Sequence, residues 1–97
     1  MPAPPETIER EVWATPAEFR HGLDLAFPGR VNECGGILHV ADGDAAMEIA
    51  LEVLSPRRIA LLNLPRMKVS LRMTAGAAPQ RAAMLTRMDR AMQRGGG

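Results

Sequence analysis

Tyrosine is missing from this 97-residue chain, and its aromatic residues are Trp13, Phe19 and Phe27 alone. Single-strand nucleic-acid binding leans on stacking aromatics, so that class of function has only Trp13 to draw on. Cysteine is limited to Cys34, which excludes an internal disulfide and any need for an oxidising compartment. Long apolar runs are absent too: the hydrophobic stretches are short and broken by charge, so no membrane-spanning helix is expected. The first six residues carry neither the basic nor the apolar segment of a secretory signal, and cytoplasmic placement is the expectation. Motif chemistry is sparse. Gly35-Gly36 is too short for a phosphate loop and opens no helix, and it is expected to permit a bulge or an unusual backbone angle. Cys34, His39, Asp42 and Asp44 do not have the spacing of zinc ligands.

What is present is ordinary for a globular domain, 46% hydrophobic and 24% charged. With few aromatics, the core must be filled by Leu, Ile, Val, Ala and the seven methionines. Methionine is unbranched and packs adaptably. The net charge of +1 hides a division. Residues 1–54 hold ten acids and three bases, a net of −7, while residues 55–97 hold nine bases and one acid, a net of +8. Either the two halves neutralise each other across the fold, or a basic surface is kept for an acidic partner.

Residues 1–6 are Pro-rich and expected to be a disordered arm, 7–94 a single α+β domain, and 95–97 a flexible glycine tail. A first strand is expected over 7–14. Thr15, Pro16 and Glu18 spell a capping box, with proline at the first helical position, where its missing N–H costs nothing. The helix that follows puts Phe19, Leu23, Ala26 and Phe27 on one stripe and ends at Pro28-Gly29. Strands over 35–41 and 44–54 flank Asp42-Gly43, a hairpin signal that would pair Leu38 with Met47 and Val40 with Ala45. Turns at Ser55–Arg58 and Leu64–Met67, each with proline second, would bound a fourth strand over 59–64 and a fifth over 67–74. Val53, Ala60 and Leu71 would then share the inner face, as would Leu51, Leu62 and Val69. Pro79 opens a last helix to about Arg94.

The expected architecture is therefore two-layer α+β, in the order β-α-β-β-β-β-α. Its five-stranded antiparallel sheet carries both helices on one face. The first strand would pair with the fifth, setting Glu9 and Glu11 opposite Lys68 and Arg72. This order of elements is similar to that of the TATA-binding-protein half-repeat and of a shortened helix-grip fold, a likeness of order alone that implies no function.

With both helices on one face, the other is left open. Trp13, Ile37, Leu54, Ile59 and Leu61 would stand there in water beside Lys68 and Arg72. A contiguous apolar group of this kind marks an interface, and acids and bases on the same face suit self-complementary pairing as a homodimer. The first expectation is thus a non-catalytic association module acting through that face. The alternative is a small apolar ligand held between the last helix and the sheet, in a lining of Met67, Met73, Met84, Met88 and Met92, although a core packed with methionine explains the same residues. The Met84, Met88 and Met92 ladder also has the softness Cu(I) favours, but a packed core needs no metal, and neither metal nor cofactor is expected. Arg87, Arg90 and Arg94 could contact phosphates, yet acids on the sheet and the lack of stacking aromatics argue against nucleic acid as partner. For catalysis the reactive inventory is Cys34, His39, His21, Asp42, Asp44 and Glu33, and no motif joins them.

Overall fold

Thr15 begins the first helix as its capping chemistry requires: its hydroxyl accepts from the Glu18 amide, and the Glu18 carboxylate accepts from the Thr15 amide at 2.9 Å. Both bonds satisfy amides that a helix start leaves without a partner. The structure, a computed structural model, describes residues 7–95, with side chains described as far as Met92. The expected arm over 1–6 and residues 96–97 of the expected tail lie outside the described residues. The elements are β1 (Thr7–Val12), α1 (Pro16–Ala26), β2 (Val31–Cys34), β3 (Ile37–Asp42), β4 (Ala45–Ile59), β5 (Leu62–Ala75) and α2 (Ala78–Gly95).

These elements form a two-layer α+β fold with an antiparallel five-stranded sheet in the order β1-β5-β4-β3-β2. Both helices cover one face. There Phe19, Leu23 and Ala26 of α1 and Met84 and Met88 of α2 bury against Leu38, Val40, Met47, Ile49, Met67, Val69, Leu71 and Met73 of the sheet. Strict alternation drives this: in β5 the odd-numbered residues 67 to 73 are buried and Lys68, Ser70 and Arg72 turn to the open side. Each buried Leu, Ile or Met contributes about 1.5–3 kcal/mol relative to exposure, which makes this face the main source of stability.

The strands are distributed differently from expectation at three places. The stretch 31–42 holds two strands, because Gly35-Gly36 is a two-residue hairpin turn with φ of 60° and 81°. A primed turn needs both central residues at positive φ, which two glycines supply without strain. The next turn lies at Gly43-Asp44, so Leu38 faces Ile49 and Val40 faces Met47, two residues along from the expected pairing. A shift of two keeps every side chain on its face, because the period of a strand is two.

The third difference is the largest. No turn occurs at Ser55–Arg58 or at Leu64–Met67, and no separate strand spans 59–64. β4 and β5 run through both segments as one long hairpin that turns at Ala60-Leu61. Leu54 pairs with Arg66 and Arg57 with Leu64, so Ser55 and Pro56 oppose Pro65 alone. That is a β-bulge, where proline is tolerated because no ladder hydrogen bond is required. The two prolines thus mark a bulge rather than two turns. Leu51 faces Val69 directly, Ile49 rather than Ala60 accompanies Leu71, and Val53 faces Met67.

Beyond the bulge the hairpin has no neighbouring strand, and residues 55–65 form a two-stranded arm. The molecule measures 50 × 28 × 25 Å, with a radius of gyration of 14.0 Å. A compact chain of about 100 residues has a radius near 13 Å, and the arm accounts for the elongation.

Candidate functional site

Where the arm leaves the sheet, polar contacts fix its root. Arg66 donates from Nε to the Ser55 carbonyl at 2.9 Å and from Nη1 to Glu11 Oε1 at 2.8 Å, tying both arm strands to β1. Trp13, just past β1, donates from its indole nitrogen to the other Glu11 oxygen at 3.3 Å. The Arg57 guanidinium lies over the Trp13 ring, 6.0 Å from its centroid, at the outer limit of a cation–π contact.

Past this root the arm carries apolar side chains into water. Leu61 is fully exposed, Leu62 61% and Ile59 46%; at the root, before the bulge, Val53 is 69% exposed and Trp13 46%. The bulge decides which way they face. Its extra residue reverses the alternation of β4, so Leu54, Arg57 and Ile59 lie on the open side with their partners Arg66, Leu64 and Leu62. The open side of the arm therefore bears Leu54, Ile59, Leu62 and Leu64, with Arg57 and Arg66 among them. A two-stranded hairpin alone is marginally stable in water, and an exposed apolar one is a pairing surface.

Of the residues singled out from sequence for an interface, Trp13, Leu54, Ile59 and Leu61 gather at the arm and its root. Ile37, Lys68 and Arg72 sit on the open face of the sheet proper. There Ile37 is half-buried in a shallow depression with Thr7, Glu48, Ala50, Ser70 and Arg72. Lys68 Nζ is 3.2 Å from Glu9 Oε2. That bond and the Glu9 and Glu52 charges raise the Lys68 pKa. Arg72 faces Thr7 on β1 and Glu48 on β4, rather than an acid of β1, and Glu11 pairs with Arg66. Sequence reasoning missed Leu62 and Leu64 in the arm and Val53 and Arg66 at its root. The available signal was the near-symmetric placing of Pro56 and Pro65 about Ala60-Leu61.

Of the five methionines expected to line a ligand site, Met67, Met73, Met84 and Met88 are buried in the packed core. Met92 is partly exposed and lines a small notch of about 70 Å³ with Val12, Trp13, Ala14, Glu18, Phe19 and Gly22. Small-molecule pockets run to about 300–1,000 Å³, so the notch holds little more than one aliphatic side chain.

The reactive inventory is spread among structural bonds. Glu33 pairs with Arg20 at 2.8 Å, Asp42 with Arg87 at 3.0 Å, and Asp44 accepts from Gln80 at 3.3 Å. His39 faces Glu48 on the open side, Nδ1 to Oε1 at 4.0 Å. Cys34 is exposed opposite Ile37, while His39 lies opposite Asn32. Among the described residues no three His, Cys, Asp or Glu side chains gather as a metal site, and no helix is long and apolar enough to cross a membrane.

The charge division resolves into pairs between the two halves of the chain: Arg10 with Asp89, Glu11 with Arg66, Glu9 with Lys68 and Asp42 with Arg87. Arg87, on the basic side of α2, is thus partly neutralised. Comparison of the chain with models of known protein families, with curated proteins and with solved structures gave no match.

Proposed function

We propose that this domain is a non-catalytic association module of the cytoplasm, pairing with a second copy of itself through the open side of its sheet and the arm that extends it. The observation that carries this is the apolar arm: Ile59, Leu61 and Leu62 stand in water on a two-stranded ribbon. Burying each such side chain in a partner contributes about 1.5–3 kcal/mol. A second copy suits the surface because it offers acids and bases side by side, Glu9 and Glu52 near Lys68, and Glu11 near Arg57 and Arg66. A twofold interface needs such self-complementarity. Sedimentation equilibrium tests it directly. Wild type should be dimeric at micromolar concentration, and Ile59→Glu/Leu62→Glu should be monomeric with unchanged circular dichroism; a monomeric wild type ends the proposal.

The second reading, a small apolar ligand at the last helix, has less support, because Met67, Met73, Met84 and Met88 fill the packed core and the notch at Met92 is only about 70 Å³. A small molecule retained by wild type in native mass spectrometry and lost from Met92→Glu would favour it over self-association.

A further inference from the structure

The arm has an exposed apolar tip, and its root stands beside an apolar notch. Leu61 belongs to the two-residue loop between Ile59 and Leu62 and touches nothing that shields it from water. The notch sits where β1 ends, between α1 and α2, lined by Val12, Ala14, Phe19 and Met92 with Trp13 exposed at its edge. We propose that two copies exchange arms reciprocally, with Leu61 of each seated in the notch of the other. This inference rests on the self-association proposed above and names its geometry.

Size is the first argument. At about 70 Å³ the notch is too small for a metabolite of ordinary size but takes one branched aliphatic side chain. Placement is the second. The arm spans four residues of β5 between Arg66 and Leu62 plus its turn, about 15 Å at ~3.4 Å per residue. Leu61 therefore cannot reach its own notch. A twofold axis crossing two antiparallel arms brings each tip to the other's root, where Trp13 joins the notch to Glu11 and Arg57 at the sheet edge, and closes the assembly at two copies. Any non-reciprocal seating of tip in notch leaves one tip and one notch free to propagate, so closure favours the exchange.

Charge is the third argument. Arg58, beside Ile59 near the tip, has no ion-pair partner among the described residues. Glu18 lines the notch, and hydrogen bonds from Thr15 lower the pKa of its carboxyl group. The exchange puts the Arg58 cation of one copy near the Glu18 anion of the other. At the exposed rim of an interface such a pair sets orientation more than affinity.

Disulfide trapping in a Cys34→Ser background tests the geometry. Leu61→Cys/Ala14→Cys, mildly oxidised, should convert to covalent dimer on a non-reducing gel. Leu61→Cys alone and Ala14→Cys alone should stay monomeric there, because like positions lie about one arm length apart, beyond the ~7 Å a disulfide allows. In sedimentation, Leu61→Asp should weaken the dimer at least tenfold, while Leu25→Asp, an exposed site on α1, should leave it unchanged. If wild type is dimeric but the double-cysteine variant crosslinks no better than Leu61→Cys alone, the exchange is wrong and self-association stands. A wild type that stays monomeric removes both.

Discussion

The β4–β5 hairpin runs through two environments within a single ladder. Where Ile49 faces Leu71, both side chains are fully buried beneath the helices; where Ile59 faces Leu62, at the far end, both are in water. Residue types and hydrogen-bonding scheme are alike at the two ends. Two things differ: the bulge turns Ile59 and Leu62 to the open side, which neither helix covers, and on the other side the helices shelter the sheet only as far as the Val53–Met67 pair. Met67 is fully buried there, while Val53 is 69% exposed. Strand propensity is enough to extend a ladder, but burial decides whether the extension is stable by itself or waits for a partner.

Matched truncations give the largest contrast. Leu71→Ala should cost about 2–5 kcal/mol in urea unfolding, through lost transfer energy and the cavity left behind. Leu62→Ala, measured at concentrations low enough for monomer, should change stability by no more than about 0.5 kcal/mol. Equal costs would erase the distinction between body and arm.

A smaller contrast concerns the turns. In the body, Gly76 has φ of 106°, and a Cβ there would come within 2.9 Å of the Ala45 backbone. Gly76→Ala should therefore destabilise by more than about 1 kcal/mol, seen as a lower Tm. At the arm tip the positive-φ position is held by Ala60, at 55°. Ala60→Gly relieves the left-handed penalty and should stabilise the arm by about 1 kcal/mol, read as slower amide exchange there.

Those two turns also show what was legible. Alternation over 45–54 and 67–73 announced the buried face, and Thr15 with Glu18 announced the helix start, because in each case local chemistry and burial agree. The arm was hidden because its turn has alanine where glycine or asparagine is expected, while Pro56 and Pro65 imitate turn signals from within a bulge. Ile59 and Leu61 could be recognised as exposed and apolar, but not as members of an arm. That depends on the bulge and on where the neighbouring strands and helices stop, which no local pattern encodes. The notch drew no notice for a similar reason: Val12, Ala14, Phe19 and Met92 meet only through tertiary packing.

The smallest expected effects are electrostatic and sit in the body. Hydrogen bonds from Thr15 lower the Glu18 pKa. That contribution is present above the unfolded carboxyl value and is lost as pH falls through the folded one. Between about pH 5 and 3, Glu18→Gln should therefore lose less Tm than wild type. Lys68 has the opposite sign: its pKa is raised by Glu9, so its contribution is present below the unfolded lysine value and is lost as pH rises through the folded one.

Amide hydrogen exchange, followed residue by residue as protein concentration rises, examines the arm most directly. In dilute solution the arm amides over 57–64 should exchange fast, as an uncovered ribbon does, while those of Ile49 and Leu71 stay protected. The proposed dimer predicts that with rising concentration protection rises in the arm and around Trp13 and Ala14 while the body stays constant. Arm exchange that does not change with concentration would show that the ribbon has no second copy to cover it.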